Sequence, residues 1–401
     1  MAGLAGLALE KGFKVTGQDK AYYPPMSDQL ELLGIKQNNT EEITNDLKKC
    51  DIVIIGNSQS RGIDSVEYTL NNNLKYFSGP EWIKKYILYD KFVFVISGTH
   101  GKTTTTSMLI KILQENKLDP SYLLGGINLE ENISYKYTNS KYFVIEGDEY
   151  DTSFFDKRSK FIHYKPNTLI INNLEYDHSD IFENISQIQK QFHFLIRSMP
   201  GNANIIYDDN EENVKKIILM GCWSKKNIYR KVSKIKNIIG EHNLKNCSAA
   251  IAAAETIGVS RENSFKALEK FSGVKRRLEK IESNNFIIYD DFAHHPTAIS
   301  ASIKALKEEY PEKKITAFFE IRSNSMIRGT HKDNFLNSFK NADNIFIYCK
   351  QDIRWLKTIP NINLYADIDL IVNKIKNSTE NVDIVILMSN GDNTEIINKL
   401  K

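Results

Sequence analysis

Phe92-Val93-Phe94-Val95-Ile96-Ser97-Gly98-Thr99-His100-Gly101-Lys102-Thr103-Thr104-Thr105-Thr106 is the stretch from which the rest of the chain is read. An apolar, β-branched and aromatic run feeds a Gly-x-x-Gly-Lys-Thr loop. A helical pattern follows, with Met108, Leu109, Ile112 and Leu113 on one face. Strand, loop and helix start come in the order a triphosphate site needs. Backbone N–H groups, the Lys102 ammonium and a metal-binding hydroxyl on Thr103 all converge on one anion. The loop string alone arises by chance; the strand before it and the helix after it make it informative. Ile96 stands where the longer phosphate-loop pattern has its first glycine, so this is the short form of the loop.

Two further buried-type strands predict where the partners of Lys102 lie. Tyr142-Phe143-Val144-Ile145 ends in Glu146, and Thr168-Leu169-Ile170-Ile171 ends in Asn172-Asn173. Ligands of open α/β sheets bind past the carboxyl ends of the strands. A carboxylate at a buried strand end is costly without a partner, and a divalent cation beside the phosphates would be one. Asp148, Glu149 and Asp151 read individually as an ordinary acidic loop. His178, in Glu175-Tyr176-Asp177-His178-Ser179-Asp180, is an unusual ligand for an oxygen-seeking cation; its case is that Lys102, Glu146 and His178 fall at the same predicted sheet edge. Glu241-His242-Asn243-Leu244-Lys245-Asn246 precedes an alanine-rich helix expected over Asn246 to Ile257, with Gly258 as its stop. Asn243 and Asn246 either meet an adenine edge or cap that helix.

The flanking segments repeat the αβ alternation. Met1 to Glu10 reads as a helix of small residues, and Phe13 to Gly17 as a strand leading to Asp19. Ile52 to Ile55 reads as a second strand. This is a nucleotide-binding half-fold in which Asp19 would meet a ribose or a diphosphate-linked sugar. The chain starts on the helix, so the opening strand and glycine-rich turn of such a fold are not seen, and a weakened grip on a diphosphate is expected. Beyond Lys275, strands are expected at Phe286 to Tyr289, Ile315 to Phe319, Asn344 to Tyr348 and Val382 to Met388. Arg276 and Arg277 would close over a triphosphate or form a surface ion pair. Of His294 and His295, one would orient a substrate and the other be structural. The predicted fold is α/β with three domains: residues 1–89 Rossmann-like, 90–274 a phosphate-loop ATPase domain with a mostly parallel sheet, and 275–401 Rossmann-like again. The 401-residue length suits that division. The 53 lysines and arginines nearly balance the 50 aspartates and glutamates, which gives no reason to invoke nucleic acid or an anionic membrane. The four cysteines form no C-x-x-C pair and no apolar run reaches the ~20 residues of a membrane span; a cytoplasmic protein is expected.

These strings together resemble the Mur ligase family, the ATP-dependent amide-bond-forming enzymes of peptidoglycan synthesis, over essentially the whole chain. Five more strings are similar to the branch that joins a whole tripeptide to UDP-N-acetylmuramate rather than to the L-alanine-adding branch. They are Tyr23 to Ser27, Ser78 to Trp82, Asp148 to Phe161, Met220 to Ser224 and Arg322 to Met326. The resemblance implies that Gly98, Thr99, His100, Gly101, Lys102 and Thr103 hold ATP, and that Thr103, Glu146 and His178 ligate Mg²⁺. It puts Asn243 and Asn246 near adenine, Asp291 near ribose and Arg277 near the γ-phosphate. Lys102, Glu146, His178 and Arg277 are then the catalytic group. His295, Arg322, Ser323 and Asn324 would face the incoming peptide, and Asp19 the UDP-sugar. The implied reaction attacks the γ-phosphate with the lactyl carboxylate, then the acyl phosphate with the amine of L-Ala-γ-D-Glu-meso-diaminopimelate, in a monomer with no membrane partner. Departures are Ile321 in place of a proline and a short stretch between Trp223 and Gly240. The alternatives are the L-alanine-adding ligase, a folylpolyglutamate synthase, which the Asp177-His178 loop argues against, and an ATP-binding remnant without turnover.

Overall fold

The computed structural model describes residues 1–22, 26–283, 286–359, 364–377 and 384–401. Tyr23 to Pro25 of the Tyr-Pro-Pro-Met-Ser string and Val382-Asp383 of the last expected strand lie outside the described residues. The chain divides into two compact units. The first comprises Met1–Glu175, Ile185–Arg230 and Cys247–Lys270; the second comprises Tyr176–Asn184, Lys231–Asn246 and Phe271–Lys401.

A seven-stranded sheet forms the body of the first unit. Its order is Lys225–Ile228, Asn204–Tyr207, Thr168–Ile171, Phe92–Ser97, Tyr142–Gly147, Ser121–Leu123 and Tyr135–Lys136, with only the last pair antiparallel. Val93 to Ile96, Phe143 to Ile145 and Leu169 to Ile171 are essentially inaccessible to solvent. Such unbroken apolar runs are what a parallel sheet covered on both faces requires. The phosphate-loop strand is central. Its register sets Ile96 opposite Glu146 and Ser97 opposite both Gly147 and Ile171, so the ends of all three strands lie level. Glu146 lies in its strand, one residue short of the end at Gly147.

The amino-terminal helix spans Ala2–Glu10. The following strand is Thr16–Asp19, three residues later than the pattern Phe13 to Gly17 predicts. Gly12 turns the chain at φ +93°, and the Phe13 ring packs edge-on against Trp82 and Tyr86 at 5.5 and 5.7 Å. The apolar residue that looked like a strand start belongs to an aromatic cluster instead. Thr16–Asp19 pairs in parallel with Lys36–Asn39, and Val53–Ile55 with Tyr76–Ser78, as two separate two-stranded sheets among the described residues. The Ser78-Gly-Pro-Glu-Trp82 string is a helix start. The Ser78 hydroxyl accepts from Glu81 N while Glu81 Oε2 accepts from Ser78 N at 2.9 Å, which caps helix Gly79–Tyr86 and buries Trp82.

The second unit holds a six-stranded sheet in the order Glu279–Glu282, Ile287–Asp291, Ile384–Met388, Ile315–Glu320, Asn344–Tyr348, Leu364–Tyr365. All pairs are parallel except the first. Ile299, Ile303 and Leu306 of helix Pro296–Glu309 pack one face; Ile371, Val372 and Ile375 of helix Ile368–Asn377 pack the other. The two outer strands were not expected. They are short and at least half-solvated, so they carry no apolar signal. The alanine-rich helix runs Glu241–Glu255, five residues earlier than its predicted start, which places Asn243 and Asn246 in its first two turns rather than at its cap.

Candidate active site

In the first unit the phosphate loop leaves Ser97 and turns at Gly98, whose φ of +127° only glycine adopts readily. A Cβ there would lie 2.9 Å from the Asn173 carbonyl oxygen. Asn173 fastens the loop from the neighbouring strand end: Thr99 N donates to its carbonyl at 3.3 Å, and His100 N to its Oδ1 at 2.8 Å. The Thr99 hydroxyl accepts from Glu175 N at 2.9 Å, and His100 Nε2 lies 3.1 Å from Glu175 Oε2. Gly101, at φ +80°, is the N-cap of helix Lys102–Glu115. The loop is therefore fastened by its own hydrogen bonds, with the helix start behind it.

Lys102 Nζ donates to Gly98 O at 2.7 Å and lies 3.1 and 2.8 Å from Glu149 Oε1 and Oε2. Burial alone would lower the ammonium pKa, but the carboxylates of Glu149 and Asp148 outweigh it and the pKa is raised. Asp148 is pulled down to about 2; Lys160 and Lys102 overcome the upward push of burial. The contact between Glu149 and Lys102 is thus one that the reading of an acidic loop missed. Its only sequence signal is the place of Glu149 three residues beyond Glu146, which closes the apolar run of its strand. The Thr103 hydroxyl donates to Glu146 Oε2 at 3.1 Å, and Glu146 Oε1 accepts from Gly125 N at 2.7 Å. A hydroxyl and a carboxylate at the loop's helix start are hard oxygen donors, the set that Mg²⁺ prefers, so these residues fit that ion. The rest of the string Asp148 to Phe161 folds on itself. Arg158 grips Asp156 through Nε and Nη2 at 2.9 and 2.7 Å, and His163, its pKa lowered by burial, lies 2.9 Å from the same carboxylate. Asp19, at the end of its strand, accepts from Lys20 N at 2.7 Å.

The second unit carries the remaining predicted residues. His178 sits at φ +55°, in the left-handed region, which histidine enters more readily than most side chains. Its N–H donates to the buried Asp177 at 2.7 Å, and Ser325 Oγ donates to the same oxygen at 2.8 Å. Burial would raise the Asp177 pKa, but the neighbouring His178 and His294 hold it well below the carboxylate range. Asn324 Nδ2 reaches Asp180 at 3.4 Å, and Ser323 caps the short helix Asn324–Ile327. The His178 loop and the Arg322 to Met326 string are thus tied together, which sequence alone did not indicate. Arg276 is an internal strut: Nη2 donates to Ser389 O at 2.6 Å and Nε lies 3.5 Å from Asp290. The Arg277 guanidinium stacks over the Phe292 ring at 4.7 Å. His295 Nδ1 accepts from Thr297 N at 3.3 Å and caps helix Pro296–Glu309. Asn243 Nδ2 donates to Ile239 O at 2.8 Å, and Asn246 Nδ2 to Asn243 Oδ1 at 3.2 Å.

Asp291 is almost sealed and accepts from Leu278 N and Ala293 N, each at 2.7 Å. Burial, opposed by Arg277, lifts its pKa from 3.8 to about 6. The folded chain thus keeps a proton that the unfolded chain has released, so stability falls as pH rises across that window. The difference in unfolding free energy between wild type and Asp291→Asn is expected to change by about 2 kcal/mol between pH 4 and pH 7. Urea titrations at both pH values check this; a difference independent of pH contradicts it.

Three family models match: the Mur ligase family catalytic domain over residues 1–90, the Mur ligase middle domain over 96–254, and the Mur ligase glutamate ligase domain over 276–391. The chain is 41% identical, over all of its length and 97% of the relative, to the UDP-N-acetylmuramate–L-alanyl-γ-D-glutamyl-meso-2,6-diaminoheptandioate ligase of Haemophilus influenzae. It is 30% identical to the UDP-N-acetylmuramate–L-alanine ligase of Clostridium acetobutylicum, over 98% of this chain and 93% of that one. The crystal structure of a murein peptide ligase from Psychrobacter arcticus superposes with a TM-score of 0.75 at 34% identity, covering all of this chain and 95% of the other. With the fold, the phosphate loop and full-length relatives in agreement, this chain belongs to the Mur ligase family.

Proposed function

We propose that this chain is an ATP-dependent ligase that joins L-Ala-γ-D-Glu-meso-diaminopimelate to UDP-N-acetylmuramate in peptidoglycan recycling. Residues 1–89 would take the UDP-sugar, with Asp19 beside it, residues 90–274 ATP, and residues 275–401 the peptide. The single observation that carries the chemistry is the Thr103 hydroxyl 3.1 Å from Glu146 at the start of the phosphate-loop helix, next to Lys102. Thr103, Glu146 and His178 would hold Mg²⁺, which when bound neutralises charge between the phosphates. Gly98, Thr99, His100 and Gly101 cradle the phosphates through the loop, and Lys102 and Arg277 stabilise charge as the γ-phosphoryl group leaves. Asn243 and Asn246 would face adenine and Asp291 the ribose. The lactyl carboxylate attacks the γ-phosphate, ADP leaves, and the peptide amine attacks the acyl carbon of the resulting acyl phosphate. A tetrahedral intermediate then expels phosphate. Activation is required because a carboxylate is a poor electrophile, and much of the acceleration comes from positioning. His295, Arg322, Ser323 and Asn324 would orient the peptide.

The higher identity to the tripeptide-adding relative supports that amine over L-alanine. Phosphate release with UDP-N-acetylmuramate and ATP is expected to be at least about tenfold faster with the tripeptide than with L-alanine, because specificity is a ratio of transition-state affinities. Faster release with L-alanine would reverse the assignment. The protein is taken to act as a cytoplasmic monomer; no helix among the described residues is long and apolar enough to cross a membrane.

A further inference from the structure

Lys102 and Glu149 form an ion pair whose side chains are only 17% and 3% exposed. Such a pair is costly to desolvate and costlier to break on one side. The loop that brings Glu149 there is tightly made. The Ser159 hydroxyl donates to Glu149 O at 2.6 Å, Lys160 N donates to Tyr150 O at 3.1 Å, and Lys160 Nζ lies 2.6 Å from Asp148. Asp151 and Ser159 pair as an antiparallel bridge. Glu149 is therefore held in position by its loop and does not reach Lys102 as a flexible surface side chain would. Nothing in the proposed reaction uses it: it is neither a phosphate ligand nor the carboxylate beside Thr103.

We propose that Glu149 is a positioning residue that holds the phosphate-loop lysine until nucleotide arrives, and that binding a polyphosphate exchanges the Lys102–Glu149 contact for a Lys102–phosphate contact. This rests on the reading of the loop as a triphosphate site. The ammonium is held between Gly98 O and Glu149, largely out of solvent. The cost is a fixed negative charge close to where the phosphates come to lie, in surroundings that screen it weakly. Removing that charge while keeping the side chain's shape should tighten nucleotide binding, whereas damage to the loop would weaken it. The direction of the change thus separates the exchange from a merely structural role.

The test is titration calorimetry of the full chain with MgADP, MgATP and adenosine. Glu149→Gln is expected to bind MgADP and MgATP about tenfold tighter than wild type. Its affinity for adenosine, which has no phosphate, should be unchanged. In turnover, the KM for ATP should fall by a similar factor with kcat within about threefold, because ground state and transition state feel the same repulsion. Glu149→Asp retains the charge on a shorter arm and should show no tightening. If Glu149→Gln does not fold, Lys102→Met/Glu149→Gln removes both buried charges together, and it should bind MgADP about tenfold tighter than Lys102→Met. Unchanged or weaker MgADP binding on removing the Glu149 charge overturns the proposal. Wild-type protein that binds neither MgADP nor MgATP overturns instead the triphosphate reading on which it rests.

Discussion

Lys102→Met is expected to lower kcat for ligation by at least about a thousandfold. The ammonium sits at the start of the phosphate-loop helix, where backbone N–H groups and the positive end of the helix already favour an anion. The loop supplies a mobile charge only through Lys102, which can follow the γ-phosphoryl group as negative charge spreads over its oxygens. Methionine keeps most of the volume and none of the charge. It also strands Glu149 as an unpaired buried carboxylate, which costs about 3–5 kcal/mol of stability. Lost activity in the single variant therefore has two causes. Lys102→Met/Glu149→Gln removes the second and should recover thermal stability without recovering turnover. Phosphate release in the presence of all three substrates, beside a melting curve for each variant, reads both. A double variant with restored activity would show that Lys102 does not act on the phosphates.

Gly98→Ala is expected to weaken MgADP binding by about a hundredfold or more, equivalent to about 2.7 kcal/mol. Two physical terms add. The backbone at φ +127° is strained for any L-residue, at about 1–3 kcal/mol. The new Cβ would also lie 2.9 Å from Asn173 O and 3.1 Å from Asn173 N. Those atoms are backbone at the end of a central strand and do not yield easily. The loop would lift instead, away from Asn173 Oδ1 and the His100 N–H that donates to it. Calorimetric titration with MgADP measures the loss; binding within a few-fold of wild type would mean that the loop adapts and that its observed conformation is not the one that holds phosphates.

The parts of this fold that could be read from the chain are those that local pattern decides. Phe92 to Ser97 is an unbroken apolar run and becomes the central strand with the boundaries its residues indicate. Ile315–Glu320 and Asn344–Tyr348 follow for the same reason. Glu146 draws attention because a carboxylate closes a buried strand, and in the structure it faces Thr103. The Glu149 contact with Lys102 spans 47 residues and the Ser325 contact with Asp177 spans 148. No periodicity registers such pairs; only the folded topology brings them together. Phe13 misleads because an aromatic residue before a strand and one in a ring cluster look alike in sequence. Asn243 and Asn246 look like possible caps because the helix's polar first turn hides its true start at Glu241.

Activation of a carboxylate by the γ-phosphate is tested most directly with UDP-N-acetylmuramate carrying oxygen-18 in both lactyl carboxylate oxygens. With ATP and the tripeptide, the phosphate released should contain one labelled oxygen, because the carboxylate oxygen that attacked phosphorus leaves with it when the amine displaces phosphate. Unlabelled phosphate formed in step with ligated product would contradict an acyl phosphate, and with it the proposed roles of Lys102, Glu146 and Arg277 in forming one.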